Sequence, residues 1–97
     1  GIDKNILFIR FEDLTSNPQT ELDKIYDFFG VERYQHDFKN IEQLTQEDDT
    51  IHGIFGDHVI RKEVKPLPPT YNHYLGEELS QNIVNSYSWF YKYFQYA

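Results

Sequence analysis

The sequence feature that most constrains the fold is a helix pattern that begins at Asn17-Pro18 and ends at Gly30. Asn can accept from the free N–H groups of a helix start, Pro supplies the backbone angle of the first turn, and Gly suits the left-handed residue that ends a helix. Between them apolar residues recur at three- and four-residue spacing, which gives a helix one apolar face. These residues are Leu22, Ile25, Tyr26 and Phe29, and Glu21, Asp23, Lys24 and Asp27 occupy the other face. The sequence therefore predicts an amphipathic helix over residues 18–29.

A short apolar run precedes this helix. Residues 6–11, ILFIRF, combine β-branched and aromatic side chains and are interrupted only by Arg10. Such a run is typical of a strand that is covered on both faces. Because an unpaired strand edge tends to recruit another chain, we expect self-association, most simply as a two-fold dimer. The contact would be residues 6–11 or the aromatic C-terminal helix, and the alternative is that residues 58–64, HVIRKEV, supply a partner strand within the chain.

Composition limits the possible classes of function. The chain has 97 residues, which suits one small domain with one core, and its eight Phe, eight Tyr and one Trp offer large buried area. A formal charge of −7 repels nucleic-acid backbones and anionic lipids, so neither partner is expected. The absence of cysteine excludes a disulfide scaffold and thiolate metal sites. The first residues, GIDKN, lack the features of a signal peptide, and we expect a soluble, cytoplasmic protein.

The segment 51–69 carries the densest positive charge of the chain, at Arg61, Lys62 and Lys65. Arg can hold a phosphate through a two-point fork and Lys as a point charge. Gly53 and Gly56 permit close approach of the backbone to a ligand. Two interpretations stay open, an anion site and a set of basic residues that only solubilise a loop or pair with carboxylates.

The histidines and the acidic run do not predict a metal site. The run 46–49, QEDD, lacks the spacing of a calcium loop and is interpreted as a solvated loop. A general-base histidine is conceivable, but nothing in the sequence shows a nucleophile for it. The four histidines lack the compact spacing of zinc ligands; they are His36, His52, His58 and His73.

Three further elements are predicted. Isolated apolar residues at helical spacing favour a short helix from about residue 37 to 44, and the prolines of residues 65–70 favour an extended linker. The longest predicted helix covers about residues 76–95, and its aromatic stripe is interpreted as core. The stripe comprises Leu79, Ile83, Tyr87, Phe90, Tyr91 and Phe94.

Three parts of the chain, in the same order, resemble the C-terminal region of sulfotransferases that use 3′-phosphoadenosine 5′-phosphosulfate. The first is Phe11-Glu12-Asp13-Leu14 followed by Asn17-Pro18 and by residues 28–31, which resembles an aromatic-Glu-Asp-Leu turn, Asn-Pro and a helix ending in Phe-Leu-Gly-Val. The last part is residues 89–96, which are similar to the Trp-x-Tyr-x-x-Phe-Gly-Tyr sequence at the end of many members of the family, with Gln95 in place of glycine.

The middle part resembles the family segment that grips the 3′-phosphate of the cofactor. Residues 59–62, VIRK, are similar to its Arg-Lys-Gly version, but Glu63 stands in place of the glycine. His52, Gly56, Asp57 and Arg61 are similar to a His…Gly-Gly-Asn…Arg version with one residue inserted and Asp57 in place of asparagine. Arg61 is common to both versions.

The resemblance implies an α-rich α+β fold with one short strand and about three helices, like the C-terminal part of the P-loop-like sulfotransferase fold. We expect residues 1–97 to be a single small domain and a fragment of a larger sulfotransferase. The implied cofactor is 3′-phosphoadenosine 5′-phosphosulfate, and the implied cofactor-binding residues are Arg61, Lys62, Gly56, His52 and Phe11.

No residue is predicted to be catalytic. The phosphosulfate-binding loop of the family, Pro-Lys-x-Gly-Thr/Ser-Thr/Ser, does not occur in these 97 residues. Sulfuryl transfer needs donors and positive charge placed around the migrating group, so activity would require the missing part. The expected function is a contribution to a nucleotide site with weak binding of the 3′-phosphate. The alternative is a standalone helical module for oligomerisation or partner binding, without enzymatic activity.

Overall fold

The computed structural model describes residues 2–45, 51–53 and 60–96 of the chain. Two compact units are present, Gly1–Pro66 and Leu67–Ala97. The division falls in the proline-rich segment 65–70, which contains no helix, as its prolines predict. The single-domain interpretation stays a prediction.

The prediction of a strand at residues 6–11 is wrong. A short 3-10 helix, Ile2–Asn5, is followed by a non-helical segment, and the first α-helix, α1, covers Phe11–Ser16. Ile6 and Phe8 are exposed whereas the residues between and after them, Leu7 and Ile9, are half-buried, so only one face of the segment is covered. No other described residue pairs with it in a backbone ladder. The described residues therefore contain helices and no strand, and the predicted α+β class is corrected to an all-helical one.

Helix α1 occupies the residues that resemble the aromatic-Glu-Asp-Leu turn of the family, so this part of the chain is helical and not a turn. Glu12 and Asp13 lie in its first turn, where carboxylates interact favourably with the positive end of the helix dipole. The Thr15 hydroxyl donates to the Phe11 carbonyl at 2.9 Å, and Arg10 lies 3.7 Å from the Asp13 carboxylate. Local polar contacts of this kind satisfy the backbone inside one segment, which a strand without a partner cannot do.

The second helix, α2, confirms the prediction and covers Pro18–Phe29, with Pro18 in its first turn. The Asn17 side chain does not cap the helix; the Asn17 carbonyl accepts from the Glu21 amide at 3.2 Å. Glu21, interpreted as a residue of the polar face, is 6% exposed, and its carboxylate pairs with Lys24. A buried carboxylate that keeps a lysine partner avoids the cost of an isolated buried charge.

Gly30 ends α2 in the left-handed conformation, as predicted, with φ 66° and ψ 32°. Its amide donates to the Asp27 carbonyl at 3.1 Å, and the next amide, of Val31, donates to the Tyr26 carbonyl at 3.1 Å. This pair of bonds is the Schellman motif, which satisfies carbonyls that the helix itself leaves free.

After Gly30 the chain runs back along α2 and is held there by polar side chains. Gln19 donates to the Tyr34 carbonyl at 3.0 Å and accepts from the His36 amide at 3.2 Å. The Tyr26 hydroxyl and His36 Nε2 are 2.5 Å apart, and their rings are parallel with centroids 6.0 Å apart. We call residues 31–38 the return segment.

An arginine–carboxylate pair completes the attachment of the return segment. Arg33 donates to Asp27 from Nε at 2.9 Å and from Nη2 at 2.6 Å, and its Nη1 lies 3.5 Å from the Asp23 carboxylate. The hydrogen bond from Arg33 lowers the pKa of Asp27, and the same bond raises the pKa of Arg33. The two-point geometry orients Arg33 against the helix more firmly than a single contact would.

The second unit contains three helices: α3, Tyr71–Leu75, α4, Glu77–Ser86, and α5, Ser88–Tyr93. The predicted continuous helix from 76 to 95 is therefore wrong in detail, since it is interrupted at Tyr87, with φ −114° and ψ 32°, and ends earlier. The interruption lies in Asn85-Ser86-Tyr87-Ser88, and Asn and Ser side chains compete with the backbone for hydrogen bonds and weaken helices.

The aromatic stripe of the second unit is not a buried core. Ile83, Tyr91 and Phe94 are half-buried, but Leu79 is 49% exposed and Tyr87 is 55% exposed. Within the described residues no hydrophobic residue is buried, and the buried residues are Glu21 and Ser80, at 6% and 8% exposure. The expected single core is thus not formed by the described residues.

Candidate functional site

The candidate site is built on a turn that follows the return segment. The Asp37 carboxylate accepts from the Lys39 amide at 2.9 Å and from the Asn40 side chain at 2.8 Å. These bonds lower the pKa of Asp37, chiefly through the Asn40 side chain. Aspartate bonded in this way to the backbone two residues on forms a turn and competes with a helix. This explains why the predicted helix at 37–44 is wrong and why residues 40–45 lie outside helices.

The turn places residues 38–43 beside residues 60–64, which carry the basic cluster. The Ile41 amide donates to the Lys62 carbonyl, and the Val64 amide donates to the Phe38 carbonyl, both at 2.9 Å. The Ile60 amide donates to the Gln43 side chain at 3.1 Å. These bonds run antiparallel, so the partner of residues 60–64 is residues 38–43, whereas the sequence suggested that residues 58–64 pair with residues 6–11. We call residues 60–64 the basic segment.

Arg61 lies inside the basic segment, between two residues whose main chain is held. Its side chain is exposed and makes no hydrogen bond or ion pair with another described residue. The side chains of the other two arginines already have carboxylate partners, since Arg10 lies beside Asp13 and Arg33 holds Asp27 in a two-point pair. Among the residues that the structure describes, Arg61 is therefore the arginine whose guanidinium has no carboxylate partner and is open to an anion from solution.

The residues that flank Arg61 modify its electrostatic environment. Lys62 is exposed and adds a second positive charge, while its carbonyl stays bonded to Ile41. Glu63, which departs from the family pattern, lies 3.8 Å from Lys65 in an exposed ion pair. Exposed pairs of this kind contribute little to stability, but the lysine partly neutralises the carboxylate next to Arg61.

The remaining predicted site residues belong to other segments of the chain, and no hydrogen bond or ring contact joins a described one of them to the basic segment. His52 lies in a single exposed turn at 51–53, and Gly53 adopts a left-handed conformation with φ 62°. Gly56 lies outside the described residues, as do Asp57 and His58. Phe11 is the first residue of α1 and is 61% exposed, and no hydrogen bond links it to the basic segment in the part of the chain that is described.

Comparison with known families then gives the identity at family level. The sequence matches the sulfotransferase domain family over residues 2–91. The chain belongs to this family. The matched range includes α1, α2, Arg61 and Lys62. Neither the curated proteins nor the solved structures contain a significant match.

Sequence reasoning missed the polar side chains that hold the return segment to α2. Gln19, Tyr26, Arg33 and His36 act together only because the chain reverses at Gly30. The one available signal was the Schellman glycine, which predicts a reversal but not its partners. Among the described helices none is long and apolar enough to cross a membrane.

Proposed function

We propose that this sulfotransferase-family chain contributes the 3′-phosphate grip of a 3′-phosphoadenosine nucleotide site, with Arg61 as the principal contact and Lys62 as the second. The observation that carries the proposal is the state of Arg61, an exposed guanidinium on a main chain held by hydrogen bonds on both sides. Holding the backbone reduces the entropy lost when the side chain closes on a ligand. The nucleotide implied by the family is 3′-phosphoadenosine 5′-phosphosulfate.

The two basic residues have different roles in the proposed grip. The Arg61 guanidinium is planar and offers a fork of N–H donors that matches two oxygens of a phosphate. The Lys62 ammonium is a point charge that strengthens the local field without fixing the orientation of the phosphate. His52 and Gly56 would add a donor and a close backbone approach, and Phe11 an apolar contact.

Catalysis of sulfuryl transfer itself is assigned to groups other than the residues of the proposed grip. Transfer of a sulfuryl group is accelerated by donors and cations directed at the charge that develops on the migrating group. The basic segment supplies charge for the far end of the nucleotide, so its part in the reaction is to bind and orient. On this proposal the 97-residue chain binds the nucleotide weakly and does not turn it over by itself.

The test is binding of adenosine 3′,5′-bisphosphate followed by shifts of the backbone amide signals. A partial site should give a dissociation constant of about a millimolar, equivalent to roughly 4 kcal/mol. Arg61→Ala should abolish binding, Arg61→Lys should weaken it through loss of the fork, and Lys62→Ala should only reduce it. Lys4→Ala is the matched control, because Lys4 is exposed in the same unit and its loss changes the net charge equally. Equal binding by the Arg61→Ala and Lys4→Ala variants would refute the proposal.

A second candidate function is that of a small helical interaction module. It is favoured by one observation, the absence of any fully buried hydrophobic residue from the described part of the chain together with many exposed aromatic side chains. Surfaces of this kind commonly belong to interfaces. The nucleotide titration separates the two candidates, since an interaction module has no reason to bind the 3′-phosphate through Arg61.

A further inference from the structure

The chain between the basic segment and α3 is kept extended by its prolines. Pro66, Pro68 and Pro69 each fix their own φ at about −65° and restrict the residue before them to extended conformations. Because the three prolines act within five residues, covalent geometry alone favours a polyproline II conformation for residues 65–69. We call residues 65–69 the proline segment.

The proline segment leaves its main chain and its side chains open to a partner. None of its residues forms a main-chain hydrogen bond with another described residue, and no helix includes them. All five side chains are exposed, and Leu67 is 45% exposed. The carbonyls of a polyproline II segment can accept hydrogen bonds from a partner. A segment that is already extended also loses little conformational entropy when it binds.

A helical turn follows the proline segment directly and presents two tyrosines at the surface. Thr70, with φ −115° and ψ 0°, ends the extended conformation, and α3 begins at Tyr71. The Thr70 carbonyl accepts from the His73 amide at 3.0 Å, which closes this first turn. Tyr71 is 54% exposed and Tyr74 is 80% exposed. Residues three apart on a helix are surface neighbours, so the two rings lie on the same face of α3.

The order of these exposed groups fits one kind of recognition groove. Grooves lined by aromatic side chains bind polyproline II segments, because flat rings pack well against proline rings. A tyrosine next to the prolines adds a large apolar ring with a polar hydroxyl. We propose that Pro68-Pro69-Thr70-Tyr71, extended by Tyr74 one turn later, is a docking motif for a domain whose aromatic-lined groove takes a proline pair and the tyrosine that follows it, the chemistry of WW domains. The whole motif belongs to the second unit, whereas Arg61 belongs to the first.

A different groove could read another pattern in the same segment. Pro66 and Pro69 are three residues apart, which is one turn of polyproline II, and Lys65 precedes them. SH3 domains bind this Pro-x-x-Pro spacing. Two observations favour the tyrosine-reading groove. Tyr71 is exposed directly after the proline pair, and the Lys65 ammonium already lies 3.8 Å from the carboxylate of Glu63.

The experiment titrates the full chain with a recombinant WW domain that recognises Pro-Pro-x-Tyr and follows the backbone amide signals of the chain. Proline has no amide, but Leu67, Thr70 and Tyr71 flank or follow the pair, and their signals should shift. Signals of α2 should stay in place. A short motif buries little surface, so dissociation should lie in the micromolar range or above.

Alanine variants of the anchor residues test the assignment of the motif. Tyr71→Ala and Pro69→Ala should each weaken binding by about tenfold or more, since a few anchor residues carry most of the binding energy of an interface. Tyr74→Ala should weaken it by a smaller factor. Tyr87→Ala is the matched control, because Tyr87 belongs to the same unit, is 55% exposed and lies outside the motif. Its substitution should leave binding unchanged.

Each remaining outcome would overturn the proposal. A wild-type chain whose signals do not shift at high micromolar concentrations of the WW domain has no such motif. Equal weakening by Tyr71→Ala and Tyr87→Ala would indicate non-specific contact with exposed aromatic rings. Loss of binding in Pro66→Ala but not in Tyr71→Ala, or binding of an SH3 domain instead, would assign the segment to the Pro-x-x-Pro groove. Far-ultraviolet circular dichroism checks the helical content of each variant, and the wild-type shift map tests the proposal without any variant.

Discussion

Two helices of this chain end in the same hydrogen-bond motif, and only one of them uses glycine for it. At the end of α2 Gly30 has φ 66°, and at the end of α5 Gln95 has φ 59°. The Gln95 amide donates to the Lys92 carbonyl at 3.3 Å, and the Tyr96 amide donates to the Tyr91 carbonyl at 2.8 Å. The residue that differs from the glycine of the family pattern thus sits at the position where glycine is conformationally preferred.

The effect of a substitution at either position on the stability of its helix end can be calculated. A left-handed conformation costs a residue with a β-carbon about 1–2 kcal/mol, and glycine loses about 0.5–1 kcal/mol more entropy on folding. A β-carbon at Gly30 would meet no atom of a more distant residue within 4 Å, so the cost of the change is the local backbone strain of the left-handed conformation. Gly30→Ala should therefore weaken the end of α2 by about 0.5–1 kcal/mol, and Gln95→Gly should strengthen the end of α5 by a similar amount.

Hydrogen exchange of single amides measures both effects locally. The Val31 amide should exchange about two- to fivefold faster in Gly30→Ala, and the Tyr96 amide about two- to fivefold more slowly in Gln95→Gly. Each variant is the control for the other, because the two motifs lie in different units. Unchanged exchange at Val31, or faster exchange at Tyr96, would refute the reasoning from backbone conformation.

Two further predictions concern the return segment. The hydrogen bond from Arg33 lowers the pKa of Asp27. The stabilisation from the Arg33–Asp27 pair should therefore be fully present above the ordinary aspartate pKa of about 3.9 and be lost as the pH falls through the lower pKa that Asp27 has in the folded chain. Carbon-13 NMR of the Asp27 carboxyl should show this low midpoint, and Arg33→Ala should raise it; an unchanged midpoint would contradict the pair. Tyr26→Phe keeps the stacked ring but removes the hydroxyl next to His36, so the His36 amide should exchange about two- to tenfold faster. Exchange equal to that of the wild type would show that the hydroxyl contact does not hold the segment.

Local signals were sufficient to predict α2 and not the segment before it. Pro18, the spacing of the apolar face and Gly30 all act within a few residues, and the structure has the helix where they place it. The run at residues 6–11 has strand composition, but a strand also needs a partner, and the chain places residues 60–64 against residues 38–43. Pairing between distant segments is not encoded in either segment alone.

For the candidate site, too, the local sequence predicted only part of what the structure shows. Arg61 was identifiable because charge density and family resemblance are both properties of the local sequence. The sequence did not show that the Arg61 side chain is open to an anion. That finding depends on the structure, in which Arg10 pairs with Asp13 and Arg33 pairs with Asp27. The cytoplasmic location stays a prediction, as do the use of 3′-phosphoadenosine 5′-phosphosulfate and the contributions of His52, Gly56 and Phe11.

The most direct test of the central claim is phosphorus NMR of adenosine 3′,5′-bisphosphate titrated with the full chain. The two phosphates give separate signals, so the measurement reports which end of the nucleotide is held. If Arg61 grips the 3′-phosphate, that signal should shift and broaden while the 5′ signal changes little, and Arg61→Ala should remove the effect. Equal changes in both signals, or the same changes with the Arg61→Ala variant, would contradict the account.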